Sequence, residues 1–219
     1  MKIALLAVIC YLIGCLNPAY FLGKIKGYDI RERGSLNAGA SNVVINIGKL
    51  AGVFTALFDI FKSFFCYKMG AFLLPELPFI GVLCASFCIL GHIFPVFMKF
   101  KGGKGFASLG GMVLGFSYKL FLIMLMCAVV IVLIVDYICI ITSLTAISFP
   151  VIYGAFTHDL IGVSVALCVG LVIISKHLYN FKRIKLGTEA RFSGIWNREK
   201  EEERIRRNIE KNNDKKCSI

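Results

Sequence analysis

Long apolar runs constrain the fold of this chain more than any other feature of its sequence. Residues 3–23, 50–74 and 78–98 are each apolar over a bilayer-spanning length, and residues 106–175 are apolar almost throughout. A spanning helix needs about 20 apolar residues, because only hydrogen bonds within the helix can satisfy its backbone in hydrocarbon. Charged residues make up 17% of the chain, against about 25% in soluble domains. The sequence therefore predicts an all-α integral membrane protein.

Polar residues at 117–119, 136 and 157–159 divide the long apolar stretch. They predict four further spans, at 105–117, 119–135, 137–156 and 160–176. The first of these is short for a full crossing, so we expect five to seven transmembrane helices and prefer seven. The apolar run after Lys2 has no small-residue cleavage site before the next charged segment, which favours a retained first helix over a signal peptide.

The positive charges distinguish one side of the predicted bundle. The net charge of +12 would suit nucleic-acid binding, but the charges border apolar spans. With the N-terminus outside, 21 of the 25 Lys and Arg residues fall in segments 24–49, 99–104 and 176–219, all on one side. Basic segments stay in the cytoplasm, so we expect a cytoplasmic C-terminus and no nucleic-acid partner.

The end of the chain, residues 193–219, is predicted to be a charged cytoplasmic tail that follows a membrane domain at 1–192. Its pairs Glu202/Arg206 and Glu203/Arg207 have i,i+4 spacing, which is typical of a solvated helix. Contact of this helix with the membrane surface is the alternative.

Two groups of reactive side chains within the spans receive structural interpretations. Eight of the nine cysteines lie in apolar stretches, where thiols act as small hydrophobes. Cys84 and Cys88 share a helix face, but no His or second Cys pair is evident to complete a zinc set, so no metal site is predicted. Asp59 and Lys62 are three residues apart in the second span. Charges at membrane depth are costly, so a mutual ion pair is predicted.

Three polar, glycine-bearing segments fall on the same predicted side. The first, residues 29–42, alternates small residues with hydroxyl and amide groups and contains Ser35, Asn37 and Asn42. Such a segment lets its backbone approach a ligand closely while the side chains form hydrogen bonds. The alternative is a turn followed by a helix N-cap at Ser41 or Asn42.

The second segment, residues 91–105, contains His92 and ends in Lys101-Gly102-Gly103-Lys104-Gly105. A glycine-rich turn that opens a helix offers N–H groups, a positive dipole end and an ammonium, which together favour a phosphate. The lysines are otherwise explained as topology signals. His92 is either a base or a buried histidine at a helix end, and the residues alone favour the buried histidine.

The third segment, residues 177–189, lies where the last span leaves the membrane. His177 and Asn180 are three apart on one helix face, and a cationic cluster follows them at Lys182, Arg183 and Lys185. An imidazole, an amide and cations on one rim suit a polyol phosphate. A plain juxtamembrane basic patch is the alternative.

Taken together, the three segments resemble the motifs of the bacterial acyl-phosphate:glycerol-3-phosphate acyltransferase family, PlsY. Residues 34–43 read Gly-Ser-Leu-Asn-Ala-Gly-Ala-Ser-Asn-Val, close to the first family motif. Residues 91–105 match the second motif in full, and residues 177–189 carry the His, Asn, Arg and Gly-Thr-Glu of the third. The resemblance extends over about residues 5–192.

The resemblance implies a seven-helix membrane fold in the bacterial plasma membrane, with an active site that faces the cytoplasm. It implies transfer of a fatty acyl group from acyl phosphate to the 1-hydroxyl of glycerol 3-phosphate, without cofactor or metal, giving lysophosphatidic acid. Membrane lipids and an enzyme that makes acyl phosphate are the expected partners. The expected catalytic residues are Ser35, His92, His177 and Glu189. The expected substrate-binding residues are Asn37, Asn42, Lys101, Gly102, Gly103, Lys104, Ser143, Asn180 and Arg183.

Three departures from the family pattern concern phosphate binding. Ile45 and Ile140 stand where family members usually carry arginine, and Leu36 replaces a glycine. Lys101, Lys104 and Arg183 are the residues expected to compensate. The alternatives are a divergent homologue, non-catalytic or altered in specificity, that binds phosphate-bearing lipids, and a small anion transporter.

Overall fold

The computed structural model describes residues 1–217, and the side chains of residues 1–197 and 199–212. The described chain is helical and contains no β-strand. Its α-helices are α1 (Lys2–Cys15), α2 (Pro18–Ile25), α3 (Ala40–Asn46), α4 (Lys49–Leu73), α5 (Ile80–Ile93), α6 (Phe106–Phe116), α7 (Tyr118–Val135), α8 (Ile138–Thr157), α9 (Leu160–Lys185) and α10 (Arg198–Cys217).

Within the described chain, six helical segments are long and apolar enough to cross a membrane, which confirms a multi-pass helical protein. The fourth predicted span, 105–117, is the shorter apolar helix α6 of 11 residues. The first span is interrupted between α1 and α2. There the Asn17 side chain caps α2 and Pro18 occupies its first turn, a position where proline needs no hydrogen-bond partner.

Helix α5 lies at the centre of the bundle, in contact with α1, α4, α6 and α9. Two glycines let α1 approach it closely. A Cβ on Gly14 would overlap the carbonyl of Cys88, and a Cβ on Gly91 would overlap the carbonyl of Tyr11. Small residues at helix crossings of this kind allow tight packing in a membrane, where apolar attraction between helices is weak.

Four cysteines fill the interface of α1, α4 and α5. Cys10 and Cys66 lie beside Cys84 and Cys88 in one apolar cluster, all four buried. The structure thus supplies a second cysteine pair that the sequence did not reveal. Among the described residues, however, no set of His, Cys, Asp or Glu side chains is arranged to hold a metal ion. The cluster therefore packs as a hydrophobic layer. The side chain of Cys217, the cysteine of the tail, is outside the described residues.

Contacts between loops show which segments lie at the same end of the bundle. At one end Arg31 contacts the segment after α5, Lys104 contacts the end of α9, and the backbone of Asp136 bonds to Phe192. At the other end Tyr153 bonds to the carbonyl of Pro78 and to Asp159. The three polar segments of the sequence therefore meet at one end, as predicted.

Candidate active site

The first polar segment is held in shape by Asn42, which lies in α3 and is fully buried. Its amide donates to the carbonyls of Ile30, Arg33 and Asn37, and its oxygen accepts from the Ser35 N–H. These bonds show that Asn42 shapes the loop, and its contact with substrate stays a prediction. Every hydrogen-bonding position of this amide is occupied by protein, so Asn42 shapes the loop that presents Ser35 and Asn37.

Arg31 joins the first segment to the second. Its guanidinium donates to the carbonyl of Met98 at 2.7 Å and to that of Lys101 at 3.1 Å. Asp29 orients it through a 2.6 Å ion pair. The same guanidinium lowers the pKa of Asp29 to about 2, so the pair stays ionised at neutral pH.

The second segment folds back over the end of α5. The N–H groups of Gly102 and Gly103 donate to the carbonyls of Ile93 and His92, and a Cβ on Gly103 would overlap the His92 imidazole. The two glycines were expected to offer their N–H groups to a phosphate. In this structure both donors bond within the protein, and a contact of the two glycines with substrate stays a prediction.

His92 belongs to a buried charged group between helices. Asp59 and Lys62 of α4 form the predicted ion pair, with 2.6 Å between Oδ1 and Nζ. The His92 Nδ1 lies 3.0 Å from the Lys62 ammonium and 3.2 Å from Asp59 Oδ1. Lys62 also donates to the carbonyls of Gly14 and Leu16. This arrangement agrees with the buried-histidine interpretation, and a catalytic role for His92 stays a prediction. The role that it supports for His92 is to hold the glycine turn.

Lys104 and Asn180 connect the second segment to the third. The Lys104 ammonium donates to Asn180 Oδ1 at 2.7 Å, and the Asn180 amide donates to Glu189 Oε1 at 2.5 Å. The side chain of Lys104 is largely removed from solvent, and this burial lowers its pKa because the charged form loses hydration. A cation, an amide and a carboxylate thus form one continuous chain.

The loop after α9 places Glu189 beside this chain. Gly187 ends the helix in a left-handed conformation with φ of 69°, which glycine adopts without steric cost. The Arg183 side chain bonds to the carbonyl of Thr188 and forms a 3.3 Å ion pair with Glu189 Oε2. Arg183 was expected to bind substrate, and in this structure it holds the loop.

His177 lies on the same face of α9, one turn before Asn180. It is buried, and neither ring nitrogen has a hydrogen-bond partner among the residues that the structure describes. Its ring is close enough to Lys104 for an electrostatic interaction. Unpartnered polar atoms are costly in a protein interior, so an imidazole of this kind is suited to a ligand that supplies the missing bonds.

The structure therefore brings together five of the predicted site residues, Lys104, His177, Asn180, Arg183 and Glu189. No described hydrogen bond or ion pair joins Ser35, Asn37 or Ser143 to them. Ser143 donates to the carbonyl of Cys139 within its own helix. Lys101 contributes a backbone carbonyl to Arg31, and its side chain is exposed.

Arg31 and Cys139 are the residues at this site that the sequence did not single out. Cys139 lies at the start of α8, where Glu189 and Lys104 both act on its thiol electrostatically. Arg31 could have been found from its charge, since it lies two residues after Asp29 in a glycine-bearing segment. Cys139 lies in an apolar stretch of the sequence, which contains no signal for a site residue.

The fold and the site together define a multi-pass helical membrane protein with a polar, cation-bearing site at one end of its bundle. The glycerol-3-phosphate acyltransferase family profile matches residues 4–187. The chain belongs to the glycerol-3-phosphate acyltransferase family, which confirms the resemblance found in the motifs.

Relatives and solved structures agree. The chain is 37% identical over 193 residues to the glycerol-3-phosphate acyltransferase of Bacillus subtilis, covering 86% of this chain and 97% of the relative. It is 34% identical to that of Thermoanaerobacter pseudethanolicus, covering 87% and 96%. The crystal structure of the integral membrane acyltransferase PlsY in its glycerol 3-phosphate form superposes with a TM-score of 0.83 at 29% identity, over 89% of this chain and 98% of PlsY. Its lysophosphatidic acid form gives a TM-score of 0.79 over 88% and 96%.

Proposed function

We propose that this protein transfers a fatty acyl group to the 1-hydroxyl of glycerol 3-phosphate and so forms lysophosphatidic acid. Its family and its likeness to PlsY in the two ligand forms support this function. The observation that carries the proposal is the hydrogen-bonded chain Lys104–Asn180–Glu189 beside the unpartnered imidazole of His177. A cation, polar acceptors and an imidazole are complementary to a polyol phosphate, which offers one anion and several hydroxyl groups.

Lys104 is the group that we assign to the substrate phosphate. Its ammonium donates one hydrogen bond within the described residues, to Asn180, which leaves donors for phosphate oxygens. The backbone N–H groups of Lys104 and Gly105 have no partner among the described residues. They lie at the start of α6, where the helix dipole also favours an anion.

The replacements at Ile45 and Ile140 make this site poorer in cations than the family pattern. Arg183 is engaged by Glu189 and by the carbonyl of Thr188, so Lys104 carries most of the proposed phosphate contact. Each missing charge-assisted hydrogen bond would contribute about 1.5–3 kcal/mol. We therefore expect weaker binding of glycerol 3-phosphate than a site with both arginines would give. An altered-specificity homologue is the alternative to be tested.

The donor that the motif resemblance implies is an acyl phosphate. In the proposed reaction the 1-hydroxyl oxygen bonds to the acyl carbonyl carbon, the bond from that carbon to the phosphate oxygen breaks, and inorganic phosphate leaves with the electron pair. The hydroxyl proton passes to His177 or to the departing phosphate, and either transfer balances the reaction. Because phosphate is a good leaving group, positioning and charge stabilisation supply most of the catalysis, and no cofactor is required.

An apolar cleft between α7 and α8 suits the acyl chain of the donor. Its volume is about 230 Å³, and its lining includes Met124, Ile141 and Leu144. Ile141 of the lining lies near the start of α8, at the end of the bundle where the backbone of Asp136 bonds to Phe192. We place the acyl chain in this cleft and the site at the cytoplasmic face of the bacterial plasma membrane. An enzyme that makes acyl phosphate there is a candidate partner.

The test is an assay of the lipid-reconstituted protein with labelled glycerol 3-phosphate and three donors in parallel: acyl phosphate, acyl-CoA and acyl carrier protein. We expect labelled lysophosphatidic acid with acyl phosphate, and its loss to background in Lys104→Ala. His177→Asn separates the two proton routes, because it lowers the rate strongly only if the imidazole receives the proton.

A folded, reconstituted protein that forms no product with any donor would exclude the acyltransferase. Product formed only with acyl-CoA or acyl carrier protein would retain the acyl acceptor and exclude acyl phosphate as donor. Equal product from the wild type and Lys104→Ala would remove Lys104 from phosphate binding.

A further inference from the structure

Helix α10 lies beyond the region that the family profile matches, which ends at residue 187. Its sequence is rich in charged residues, and it is predicted to be a solvated helix, with contact with the membrane surface as the alternative. The structure differs from this prediction on one face. Glu201, Arg204, Asn208 and Asn212 follow the i, i+3, i+7, i+11 spacing of a single helix face, and all four contact the backbone between residues 186 and 191.

Arg204 makes the central contacts of this face. Its two terminal nitrogens donate to the carbonyls of Gly187 and Glu189, each at 2.7 Å. Glu201 holds the guanidinium through bonds of 2.9 Å and 2.7 Å and also accepts the Arg191 N–H at 2.8 Å. Asn208 and Asn212 donate to the carbonyls of Gly187 and Leu186. The backbone of the loop that carries Glu189 is thus fixed from both sides of that residue.

This loop has no regular secondary structure of its own. It follows the left-handed turn at Gly187 and contains no helix or strand through Arg191. Arg183 fixes it from the α9 side, and Arg204 fixes it from the α10 side. Because Asn180 and Lys104 are in turn held through the Glu189 carboxylate, a shift of this backbone changes the geometry of the cation that faces the substrate.

We propose that Arg204 is a positioning residue of the active site, and that α10 holds the Glu189 carboxylate in its working position through the loop backbone. This inference rests on the proposed function, since its consequence is measured on glycerol 3-phosphate. Arg204 does not touch the reacting atoms and acts through Glu189.

The experiment compares Arg204→Ala with Arg206→Ala in the full-length, reconstituted protein. Arg206 is the matched control, because it lies on the same helix, carries the same charge and forms an exposed ion pair with Glu210. We expect Arg204→Ala to lower kcat/KM for glycerol 3-phosphate about tenfold, with KM for the acyl donor unchanged. Arg204→Lys should restore part of the loss, and Arg206→Ala should match the wild type.

Hydrogen–deuterium exchange gives a readout that does not require activity. Arg204→Ala should speed exchange of the amides at 186–191 relative to Arg206→Ala. The single tryptophan of the chain, Trp196, lies next to α10, and the Lys49 ammonium lies over its ring, 4.5 Å from the ring centroid. Its quenching by iodide reports whether α10 stays docked.

The outcomes separate the two proposals. Unchanged exchange at 186–191 in Arg204→Ala would overturn the positioning role whether or not the wild type is active. Faster exchange with unchanged kcat/KM would limit α10 to a structural role and also overturn it. If exchange at 186–191 is unchanged in both variants and the wild type makes no product with any donor, the acyltransferase proposal is overturned as well. If Arg204→Ala does not fold, Asn208→Ala provides the smaller lesion, and it must still speed exchange at 186–191.

Discussion

Lys104 combines a positive charge with burial, and at the scale of a single residue this combination has a measurable consequence. Burial lowers the pKa of its ammonium below the usual lysine value of 10.5. The charged form is present below the lowered pKa and is lost as the pH rises through it. We therefore predict that kcat/KM for glycerol 3-phosphate falls on the alkaline side at a lower pH than an exposed lysine would give. The measurement is the pH profile of kcat/KM, which reports the ionisation of the free enzyme.

The Lys104→Arg variant is the control for that profile. A guanidinium stays protonated throughout the alkaline range, so the alkaline fall should disappear or move upward even where the overall rate is reduced. An identical alkaline fall in wild type and Lys104→Arg would assign the titration to a different group.

The residue scale also shows what the sequence could not separate. It predicted the polar residues of the site region, but it could not distinguish those that bind from those that hold a loop. Asn42 and Arg183 were both expected to contact substrate, and both are used by backbone carbonyls and side chains of their own loops. The identity of those partners depends on how distant segments fold against each other. The same reason explains why Arg31 was missed, since its acceptors lie 67 and 70 residues away in the chain.

At the scale of helices, the contact of α4 with α5 depends on a buried ionic group. Lys62 neutralises Asp59 and also bonds to two carbonyls at the end of the first span. We predict that Lys62→Met destabilises the protein by about 3–5 kcal/mol, because it leaves a buried carboxylate without its main partner. Thermal unfolding in detergent, followed by intrinsic fluorescence, measures the loss.

The double variant Asp59→Asn/Lys62→Met tests whether the unpaired charge is the cause. Removing both charges should restore a substantial part of the stability lost in Lys62→Met. If the double variant is less stable than either single variant, packing and the carbonyl bonds of Lys62, and not charge compensation, account for the effect.

Helices could be predicted from the sequence as far as hydrophobicity determines them. The second to seventh predicted spans agree with the helices to within a few residues at most ends, because length and apolarity are properties of the segment itself. The exceptions have local or tertiary causes. Pro18 divides the first span, and α9 extends to Lys185, about nine residues past its predicted end, as a polar helix that carries His177 and Asn180. Docking of α10 could not be predicted, since its partners are backbone carbonyls.

At the scale of the whole molecule, the positive charges and the candidate site lie at the same end of the bundle. The loops that carry most of the Lys and Arg residues are the same loops that meet around Lys104 and Glu189. A basic surface at this end would orient the protein in the membrane and attract anionic substrates to the site. If the proposed function and orientation hold, one set of charges would serve both insertion and substrate binding, and moving the site to the opposite face would require a reversal of topology.

The orientation itself is the last prediction. We expect the end that carries the site to face the cytoplasm, with the C-terminal helix α10 on that side and Lys119, in the first turn of α7, on the other. Trypsin should remove a C-terminal epitope tag in inside-out vesicles and leave it intact in right-side-out vesicles, because the tail of residues 198–217 offers many Lys and Arg sites. A tag of the same sequence on a protein of known periplasmic terminus controls for vesicle leakage. Cleavage confined to right-side-out vesicles would reverse the topology, and with it the assignment of the site to the compartment that supplies glycerol 3-phosphate.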